Sequence, residues 1–526
     1  MLFERNSKGI GKREKAKKQE LPIYTRSICP ECSKVLDARL EDWEGQLWMR
    51  KECEQHGSYN ELISSDTEFF LHRRRTDFAL TRGMENPQTN STGNCPTDCG
   101  ICTQHKSSPC LVNIDLTNRC NQNCPICFAN ANVSGRLYEL DMQQLEEILD
   151  RTMSIRPNPP LSIQYAGGEP TVHPRFLDAV GMAKEKGVLD VQAASNGLLF
   201  AKKPDFAQKA AEQGLDVVYL QFDGMSDDIY RHSRGRELYD LKMQAIENMR
   251  QAGIMVCLVP TIVRGLNDHQ LGDILKFAID NSDVVTAVSF QPVSITGRID
   301  ESKRMQMRYT LADMARDLQD QSGIMDMYRD WYPFSVISPV SRLMENMTGS
   351  PKMYFSCHPH CGAASYLVVD TQKKEAMPIT RFLDIEGAMH DLNKEADSLE
   401  RHSDWRKKLT RFQVLRAMKK HFRKEKAPEG INFDSLINFI NNFLEAEPNH
   451  KDRQKGHVYH KIEDRYHVLL LAAMHFQDSY NYELDRVQRC VIHYGSPDGS
   501  LYPFCTWNSG PCHRYAVEEQ FSTPLK

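Results

Sequence analysis

The stretch "NRCNQNCPICFAN", residues 118–130, places three cysteines close together. Cys120, Cys124 and Cys127 follow the spacing CxxxCxxC. A 4Fe–4S cluster held by three thiolates keeps one iron without a protein ligand, and that iron can bind a small molecule. S-adenosylmethionine (SAM) suits such a site through its amino and carboxylate groups, and one electron then splits its sulfonium to release a 5′-deoxyadenosyl radical. The spacing alone also fits zinc.

Short apolar runs alternate with amphipathic stretches on the C-terminal side of this loop. The runs are "LVNIDLT" (111–117), "LSIQYA" (161–166), "LDVQAA" (189–194), "DVVYLQF" (216–222), "IMVCLVPTIV" (254–263) and "VVTAVSF" (284–290). Alternating strands and helices indicate a parallel sheet covered by helices. Six such units predict an α/β fold, a partial (β/α)6 barrel.

Polar motifs follow each run, at the end where barrel enzymes collect their chemistry. Gly167, Gly168 and Glu169 of "GGEP" follow the second run, and Ser195 and Asn196 of "SNG" follow the third. Glycines let the backbone approach a ligand closely. The Glu169 carboxylate can accept hydrogen bonds from an ammonium group, and Ser195 and Asn196 can bind a carboxylate or ribose hydroxyls. The later runs are followed by "DG" (223–224), "RGLN" (264–267) and "QPVSITGR" (291–298).

Two further cysteine sets predict auxiliary 4Fe–4S clusters. The first is "CPTDCGICTQHKSSPC" (95–110), with Cys95, Cys99, Cys102 and Cys110. Four thiolates in sixteen residues can surround a cubane, and we favour this over a second zinc site. The second set consists of two distant pairs, which close one cluster if the C-terminal region folds back: Cys357, Cys361, Cys490 and Cys505. The alternative is two unrelated pairs of buried thiols.

The N-terminal region carries a different metal pattern. "CPEC" contains Cys29 and Cys32, and "CEQHG" contains Cys53 and His56. Two ligand pairs about twenty residues apart, each at a predicted hairpin turn, are typical of a ribbon around zinc or a single iron. The alternative is that the fourth ligand is not His56 and lies elsewhere.

Composition limits the function classes. The 526 residues carry a formal net charge of −4, which argues against nucleic acid as the main partner. No apolar run is long enough to span a membrane, and the basic N-terminus has no apolar secretory segment. Most of the sixteen cysteines fall in tight groups, which in a reducing cytoplasm indicate metal sites.

CxxxCxxC followed by "GGEP" resembles the radical SAM superfamily over about residues 111–300. The resemblance implies that the three cysteines hold the SAM cluster. It also implies that "GGE" binds the methionyl part of SAM and that "SN" helps to bind the nucleoside or carboxylate. "CPTDCGICTQH", "FQPVSITGR" and "RCVIHYGSPDGSLYPFC" resemble the tetraether or membrane-spanning lipid synthase family. That family implies three 4Fe–4S clusters and one rubredoxin-like iron.

The second resemblance implies an enzyme that abstracts hydrogen from unactivated carbons and joins two lipid chain tails by a C–C bond. It implies a lipid substrate at the membrane surface and a low-potential electron donor such as ferredoxin or flavodoxin. The basic segment 401–426, with eleven Lys and Arg, fits either an anionic surface or an ordinary solvated helix. Two alternatives stay open: a radical SAM methyltransferase acting on a pterin or other small molecule, and a non-enzymatic multi-zinc binding module.

Five regions are predicted along the chain. They are a flexible basic tail (1–21), a rubredoxin-like metal domain (22–75), an auxiliary-cluster segment (76–110), the radical SAM partial barrel (111–340) and an α+β C-terminal domain with the second auxiliary cluster (341–526). Within the last, we predict one long helix over residues 459–487.

Overall fold

The computed structural model describes residues 21–90, 92–400, 406–444, 461–463 and 465–524. Residues 1–20 of the predicted basic tail and the first five residues of the basic segment 401–426 lie outside these ranges.

The N-terminal unit is a four-stranded antiparallel sheet in the order β1-β2-β3-β4, followed by one helix. Its elements are β1 (Ile23–Ile28), β2 (Val35–Trp43), β3 (Gln46–Cys53), β4 (Gly57–Ser64) and α1 (Thr67–Arg75). Alternate residues of β2 and β3 are buried, as expected for strands with one face on a core. Leu40, Met49 and Phe70 belong to that core.

The central region consists of strands that alternate with helices. Its elements are β5 (Leu111–Thr117), β6 (Arg136–Tyr138), α2 (Met142–Met153), β7 (Ser162–Gly167), α3 (Phe176–Glu185), β8 (Asp190–Ser195), α4 (Leu198–Lys202), α5 (Pro204–Glu212), β9 (Val217–Gln221), α6 (Asp227–Arg234), α7 (Tyr239–Ala252), β10 (Met255–Val259), β11 (Thr261–Ile262), α8 (Leu271–Asp280), β12 (Val285–Pro292), α9 (Arg304–Met307), α10 (Leu311–Ser322) and α11 (Ser338–Thr348).

The six predicted runs coincide with strands that pair in parallel, in the order β5-β7-β8-β9-β10-β12. The fifth run is interrupted at Pro260, which has no backbone N–H to donate, and β11 begins after it. Ile114 and Leu116 of β5 share one hydrophobic core with Leu145 and Leu149 of α2. The central region therefore has an α/β fold built on a parallel sheet, preceded by a small antiparallel unit.

The C-terminal region adds helices and more strands. Its elements are β13 (Gly362–Asp370), β14 (Glu375–Pro378), α12 (Ile385–Glu400), α13 (Arg406–His421), α14 (Phe433–Leu444), β15 (Lys461–Glu463), β16 (Tyr466–Met474), α15 (Leu484–Gln488), β17 (Ile492–Gly495), β18 (Leu501–Pro503), α16 (Phe504–Asn508), α17 (His513–Phe521) and β19 (Ser522–Pro524).

These late strands extend the central sheet at both edges. β16 pairs in parallel with β12, and β17 pairs in parallel with β5. The antiparallel strands β13 and β14 lie beyond β16, and β18 lies beyond β17. The C-terminal region thus folds back around the strands that carry the cysteine triplet.

The prediction of one long helix over residues 459–487 is wrong. The run "YHVLLLAAM" forms strand β16, and among the described residues of the rest of that stretch the helical ones belong to α15 (Leu484–Gln488). Most side chains of β16 are buried on both faces, so its sequence is almost continuously apolar. Such a run cannot be distinguished from a buried helix by periodicity.

Every helix among the described residues is too short or too polar to cross a bilayer. Helix α13, from the basic segment, packs Val414 and Met418 against Leu392 and Ala396 of α12. These two side chains of α13 therefore contribute to a local core, whereas Leu415 is exposed.

Candidate active site and metal centres

The cysteine triplet lies on the loop that leaves β5, and the loop after β12 holds it. The guanidinium of Arg298 donates to the carbonyl of Cys124 at 2.8 Å and to that of Ala131 at 2.6 Å. The backbones of Arg298 and Cys127 exchange two hydrogen bonds, at 2.9 and 3.1 Å. Gly297 makes this approach possible, because a Cβ there would lie 2.4 Å from the Cys127 oxygen.

A buried ion pair supports the same loop from inside the sheet. Nη1 of Arg234 donates to the Ile126 carbonyl at 2.8 Å, and Nη2 donates to Oδ1 of Asp223 at 2.9 Å. Asp223 is fully buried and also accepts from Ser233 Oγ at 2.9 Å. Burial opposes ionisation of Asp223, but the charge and hydrogen bonds of Arg234 outweigh it and lower the pKa of that carboxyl.

The "GGEP" loop after β7 packs on the start of the triplet loop. Gly168 N donates to Thr117 O at 2.8 Å, and Glu169 N donates to Arg119 O at 2.9 Å. A Cβ at Gly167 would lie 2.2 Å from Thr117 O, and one at Gly168 would lie 2.3 Å from Arg119 O. Gly167 also has a φ of +123°, which side chains rarely adopt. The two glycines are therefore required by the close approach of two protein loops.

Glu169 joins three loops through one buried carboxylate. It accepts from Thr171 Oγ1 at 2.6 Å, from Ser195 Oγ at 2.8 Å and from Asn196 N at 2.8 Å. Burial raises the pKa of Glu169, and these donors oppose the rise. Oε2 accepts one of these bonds, from Asn196 N, so this oxygen keeps acceptor capacity for a ligand.

Asn196 connects the loop after β8 to the triplet loop. Its Nδ2 donates to Asn121 Oδ1 at 2.7 Å, and its carbonyl accepts from Lys242 Nζ at 2.7 Å. Lys242 also donates to Gln221 Oε1 at 2.8 Å, and burial lowers the pKa of the lysine to about 7. The predicted SAM-binding residues thus form one hydrogen-bonded assembly beside the cysteine triplet.

Sequence reasoning missed Arg234 and Lys242, because both lie on helices and outside any motif. A signal existed for Lys242: it occupies the apolar stripe of α7 together with Leu238, Ala245 and Met249. A lysine in such a stripe indicates a buried charge with a specific partner.

A small polar pocket lies beside the triplet loop. Residues 129–132, Gly167, Gly168, Asp115, Arg514 and Glu518 are among those that line it. Asp115 accepts from Trp507 Nε1 at 3.1 Å, while its Oδ1 and the Nε of Arg514 are buried without hydrogen-bond partners.

The triplet suits a positively charged metal group. Burial raises the pKa of the Cys120 thiol to about 12 and also raises that of Cys124. The thiolates needed as ligands therefore require compensation by bound metal. Three sulfur donors on one loop, beside oxygen and nitrogen groups, fit a 4Fe–4S cluster with one open iron.

The structure brings the four predicted N-terminal ligands together. One ligand atom from each of Cys29, Cys32, Cys53 and His56 lies within 4.8 Å of the others. Nδ1 of His56 is 3.5 Å from Sγ of both Cys29 and Cys53. This donor set fits tetrahedral zinc or a single iron.

The first auxiliary set is only partly assembled. Burial raises the pKa values of Cys95 and Cys99, and nearby cysteines add to the rise: Cys102 acts on Cys95, and Cys95 and Cys102 act on Cys99. Cys110 instead shares an apolar cluster with Cys357. The assignment of Cys110 to this set stays a prediction.

The second auxiliary set converges from distant parts of the chain. Burial is the main cause that raises the pKa values of Cys490 and Cys357. The nearby thiols of Cys505 and Cys361 raise the pKa of Cys490 further, and the thiol of Cys361 raises that of Cys357. The two pairs meet where Arg489, next to Cys490, donates to the Cys357 carbonyl at 3.0 Å.

Comparison with known proteins gives two family-level matches. Residues 114–278 match the model of the radical SAM superfamily, and residues 21–65 match the HMPTM N-terminal zinc ribbon domain. A 7,8-dihydro-6-hydroxymethylpterin dimethyltransferase from Methanocaldococcus jannaschii is 37% identical over 95% of this chain and 96% of its own length.

More distant relatives match less than half of the chain. A GTP 3′,8-cyclase from Limosilactobacillus fermentum is 26% identical over 43% of this chain and 64% of its own length. The structure of Streptococcus suis SuiB bound to S-adenosylmethionine is 18% identical, covering 41% of this chain and 47% of that one with a TM-score of 0.33.

The prediction that this chain couples lipid tails is wrong. The relative that matches almost the whole chain is a pterin dimethyltransferase. The motifs on which the lipid prediction was based are mostly loops that contain cysteines. Such loops indicate which metal groups a protein binds and do not identify its substrate. The superfamily match also excludes the non-enzymatic zinc module.

Proposed function

The chain belongs to the radical SAM superfamily and, within it, to the family of the 7,8-dihydro-6-hydroxymethylpterin dimethyltransferase, and we propose that it is a methyltransferase acting on a pterin. The observation that carries this proposal is the identity of 37% over nearly the full length of both chains. A match of that extent includes the ribbon, the central sheet and the C-terminal region that folds back on it.

The site contains the groups that radical chemistry on a pterin requires. A 4Fe–4S cluster with bound SAM supplies a 5′-deoxyadenosyl radical, which abstracts hydrogen from carbons that acid–base catalysis cannot activate. Cys120, Cys124 and Cys127 would hold that cluster. Gly168 and Glu169 would position the methionyl part of SAM, with Gly167 keeping their loop against the triplet loop.

Ser195 and Asn196 would orient the remaining polar groups of SAM. Their geometry is set by Glu169 and Lys242, so these buried charges act by positioning the loop after β8. The six parallel strands would curve as a partial (β/α)6 barrel and place the pterin inside it, at the end that carries the loops.

The proposed reaction replaces a C–H bond of the pterin by C–CH3. For each methyl group, two SAM molecules and two electrons are consumed, and the pterin hydrogen leaves in 5′-deoxyadenosine. The other products are methionine from the first SAM and S-adenosylhomocysteine from the second. A low-potential donor such as ferredoxin or flavodoxin would supply the electrons.

The auxiliary metal sites complete the proposal. Cys95, Cys99, Cys102 and Cys110 would hold one auxiliary 4Fe–4S cluster, and Cys357, Cys361, Cys490 and Cys505 would hold the other. Cys29, Cys32, Cys53 and His56 would hold zinc or iron. The domain boundaries at residues 21, 75, 110 and 340 and the absence of a nucleic-acid partner also remain predictions.

The test is anaerobic turnover of the reconstituted protein with reductant, SAM labelled in its methyl group and 7,8-dihydro-6-hydroxymethylpterin. We expect labelled, methylated pterin together with 5′-deoxyadenosine, and neither product from C124A. C257A is the matched control, because Cys257 lies in the core outside every predicted metal set. Release of 5′-deoxyadenosine without any methylated pterin would contradict the proposed substrate. GTP, tested in parallel, should not be consumed.

A further inference from the structure

Two buried arginines lie beside the second auxiliary cysteine set. Arg73 of α1 is 2% exposed, and Arg486 of α15 is 4% exposed. Arg486 donates to the carbonyl of His475, whose N–H donates to the Cys361 carbonyl at 2.9 Å, and Arg73 contacts Pro359 and His360, the two residues before Cys361. Two like charges are thus buried next to one cysteine.

Neither guanidinium has a carboxylate partner of its own among the described residues. Arg73 donates to the carbonyl of Pro359 at 3.3 Å and lies 3.4 Å from Nδ1 of His360, and its carbon lies 4.7 Å from the Phe69 ring. Arg486 donates to the carbonyl of His475, and Glu483 attracts it from a distance. Neutral acceptors of this kind do not offset the desolvation of two cations.

The same region contains donors without acceptors. The buried Nε atoms of Arg73 and Arg486 make no hydrogen bond, and neither do Nε2 of His360 and Nε2 of His475. Buried polar atoms are normally satisfied, so four orphans around one cysteine indicate a missing acceptor. An iron–sulfur cluster on four thiolates is such a group, because it carries net negative charge and its sulfurs accept hydrogen bonds.

The first auxiliary set has no comparable surroundings. The charged side chains that act on Cys95 are Asp98 and Arg26, which have opposite sign, and those that act on Cys99 are other cysteines. Arg489, near Cys357, is paired with Asp77 at 2.9 Å and adds little net charge. Two buried guanidinium groups and one buried carboxylate, that of Glu483, therefore leave a net positive charge beside Cys361.

We propose that Arg73 and Arg486 are the counter-charges of the second auxiliary cluster and raise its reduction potential above that of the first. The proposal rests on the cluster ligands proposed above. Reduction adds one negative charge to the cluster, and nearby guanidinium groups stabilise the reduced form more than the oxidised form. The cluster at Cys361 then takes up an electron before the cluster at Cys99, which orders electron uptake within the enzyme.

The test is a redox titration of the reconstituted full-length protein, followed by electron paramagnetic resonance. C361A identifies the signal of the second auxiliary cluster by removing it. We expect R73Q and R486Q each to shift the reduction equilibrium of that signal about tenfold toward the oxidised form, which is about 59 mV for one electron. R75Q is the matched control, since Arg75 lies on the same helix and is exposed beside Glu68.

Each outcome decides the question. An unchanged midpoint potential in both glutamine variants overturns the proposal. The proposal is also overturned if, in the wild type, the cluster at Cys361 is reduced only after the first auxiliary cluster. If the glutamine variants lose iron, R73K and R486K decide: recovered iron supports the role of charge, and equal loss overturns it. If C361A keeps all iron and all signals, Cys361 holds no cluster and the proposal fails. Release of 5′-deoxyadenosine by the same preparation then shows separately whether the radical SAM function stands.

Discussion

The carboxylate of Glu169 accepts a hydrogen bond from the hydroxyl of Ser195 at 2.8 Å, so a buried charge joins the loops after β7 and β8. Asn196 N donates to the same carboxylate at 2.8 Å. The loop that carries Glu169 also donates to the backbone of Thr117 and Arg119, at the start of the triplet loop. The groups expected to bind SAM are thus prearranged before any ligand enters.

Replacing Glu169 by glutamine should weaken SAM binding. The amide would place an NH2 group where Oε1 or Oε2 now accepts from donors, and the loop after β8 would lose its orientation. We expect the Kd for SAM to rise about tenfold, or about 1.4 kcal/mol, in equilibrium binding. Iron content should stay at the wild-type value, and an unchanged Kd would show that Glu169 plays no part in the site.

Replacing Arg234 by methionine should destabilise the triplet loop. Asp223 would remain fully buried without its cationic partner, at a cost of about 3–5 kcal/mol in the free energy of unfolding. Thermal unfolding and iron analysis measure the effect. The double variant R234M/D223N should recover part of the stability, because it leaves no unpaired buried charge, and a double variant no better than R234M would refute this explanation.

Lys242 should make stability depend on pH in the neutral to alkaline range. Its folded-state pKa is about 7, below the ordinary value near 10.4, so between these values the unfolded chain binds more protons than the folded one. Stability contributed by this residue then rises with pH. Compared with K242M, the wild type should gain up to about 1.4 kcal/mol per pH unit above pH 7. Unfolding of both proteins at several pH values measures the difference, and parallel curves would contradict it.

The N-terminal metal should stabilise the whole chain. Lys51 of the ribbon donates to the carbonyls of Ser479 and Tyr480 at 3.1 and 2.8 Å, so loss of the ribbon disturbs the C-terminal region. We expect C53A to lose one metal equivalent and about 4 kcal/mol or more of stability. Metal analysis with calorimetry tests this and distinguishes zinc from iron. C257A should retain the metal, and a C53A protein of wild-type stability would disprove the prediction.

Parts of the fold follow directly from the sequence. The apolar runs from β5 to β12 are bounded by turn residues and separated by amphipathic helices. This alternation identifies the runs as strands of a parallel sheet. β16 was mistaken for a helix because a strand buried on both faces has no alternation. The pairing of β16 with β12 and β17 with β5 joins residues far apart in sequence, and local patterns carry no such information.

The candidate site was predictable where a motif combines with chemistry. Three cysteines at fixed spacing and "GGEP" identify the cluster loop and its neighbour. Arg234 is recognised only from the contacts it makes in the fold, whereas the one sequence signal for Lys242 is its place in the apolar stripe of α7. The proximity of Cys110 to Cys357 likewise depends on long-range packing, since both belong to one apolar cluster with Val491.

The most direct test of the central claim is the fate of SAM on the reduced, reconstituted protein. With the pterin present, the account predicts release of 5′-deoxyadenosine by the wild type and none by C124A, while the iron of the other sites is retained. A wild-type protein that carries its clusters and never releases 5′-deoxyadenosine, with any pterin tested, would contradict the account.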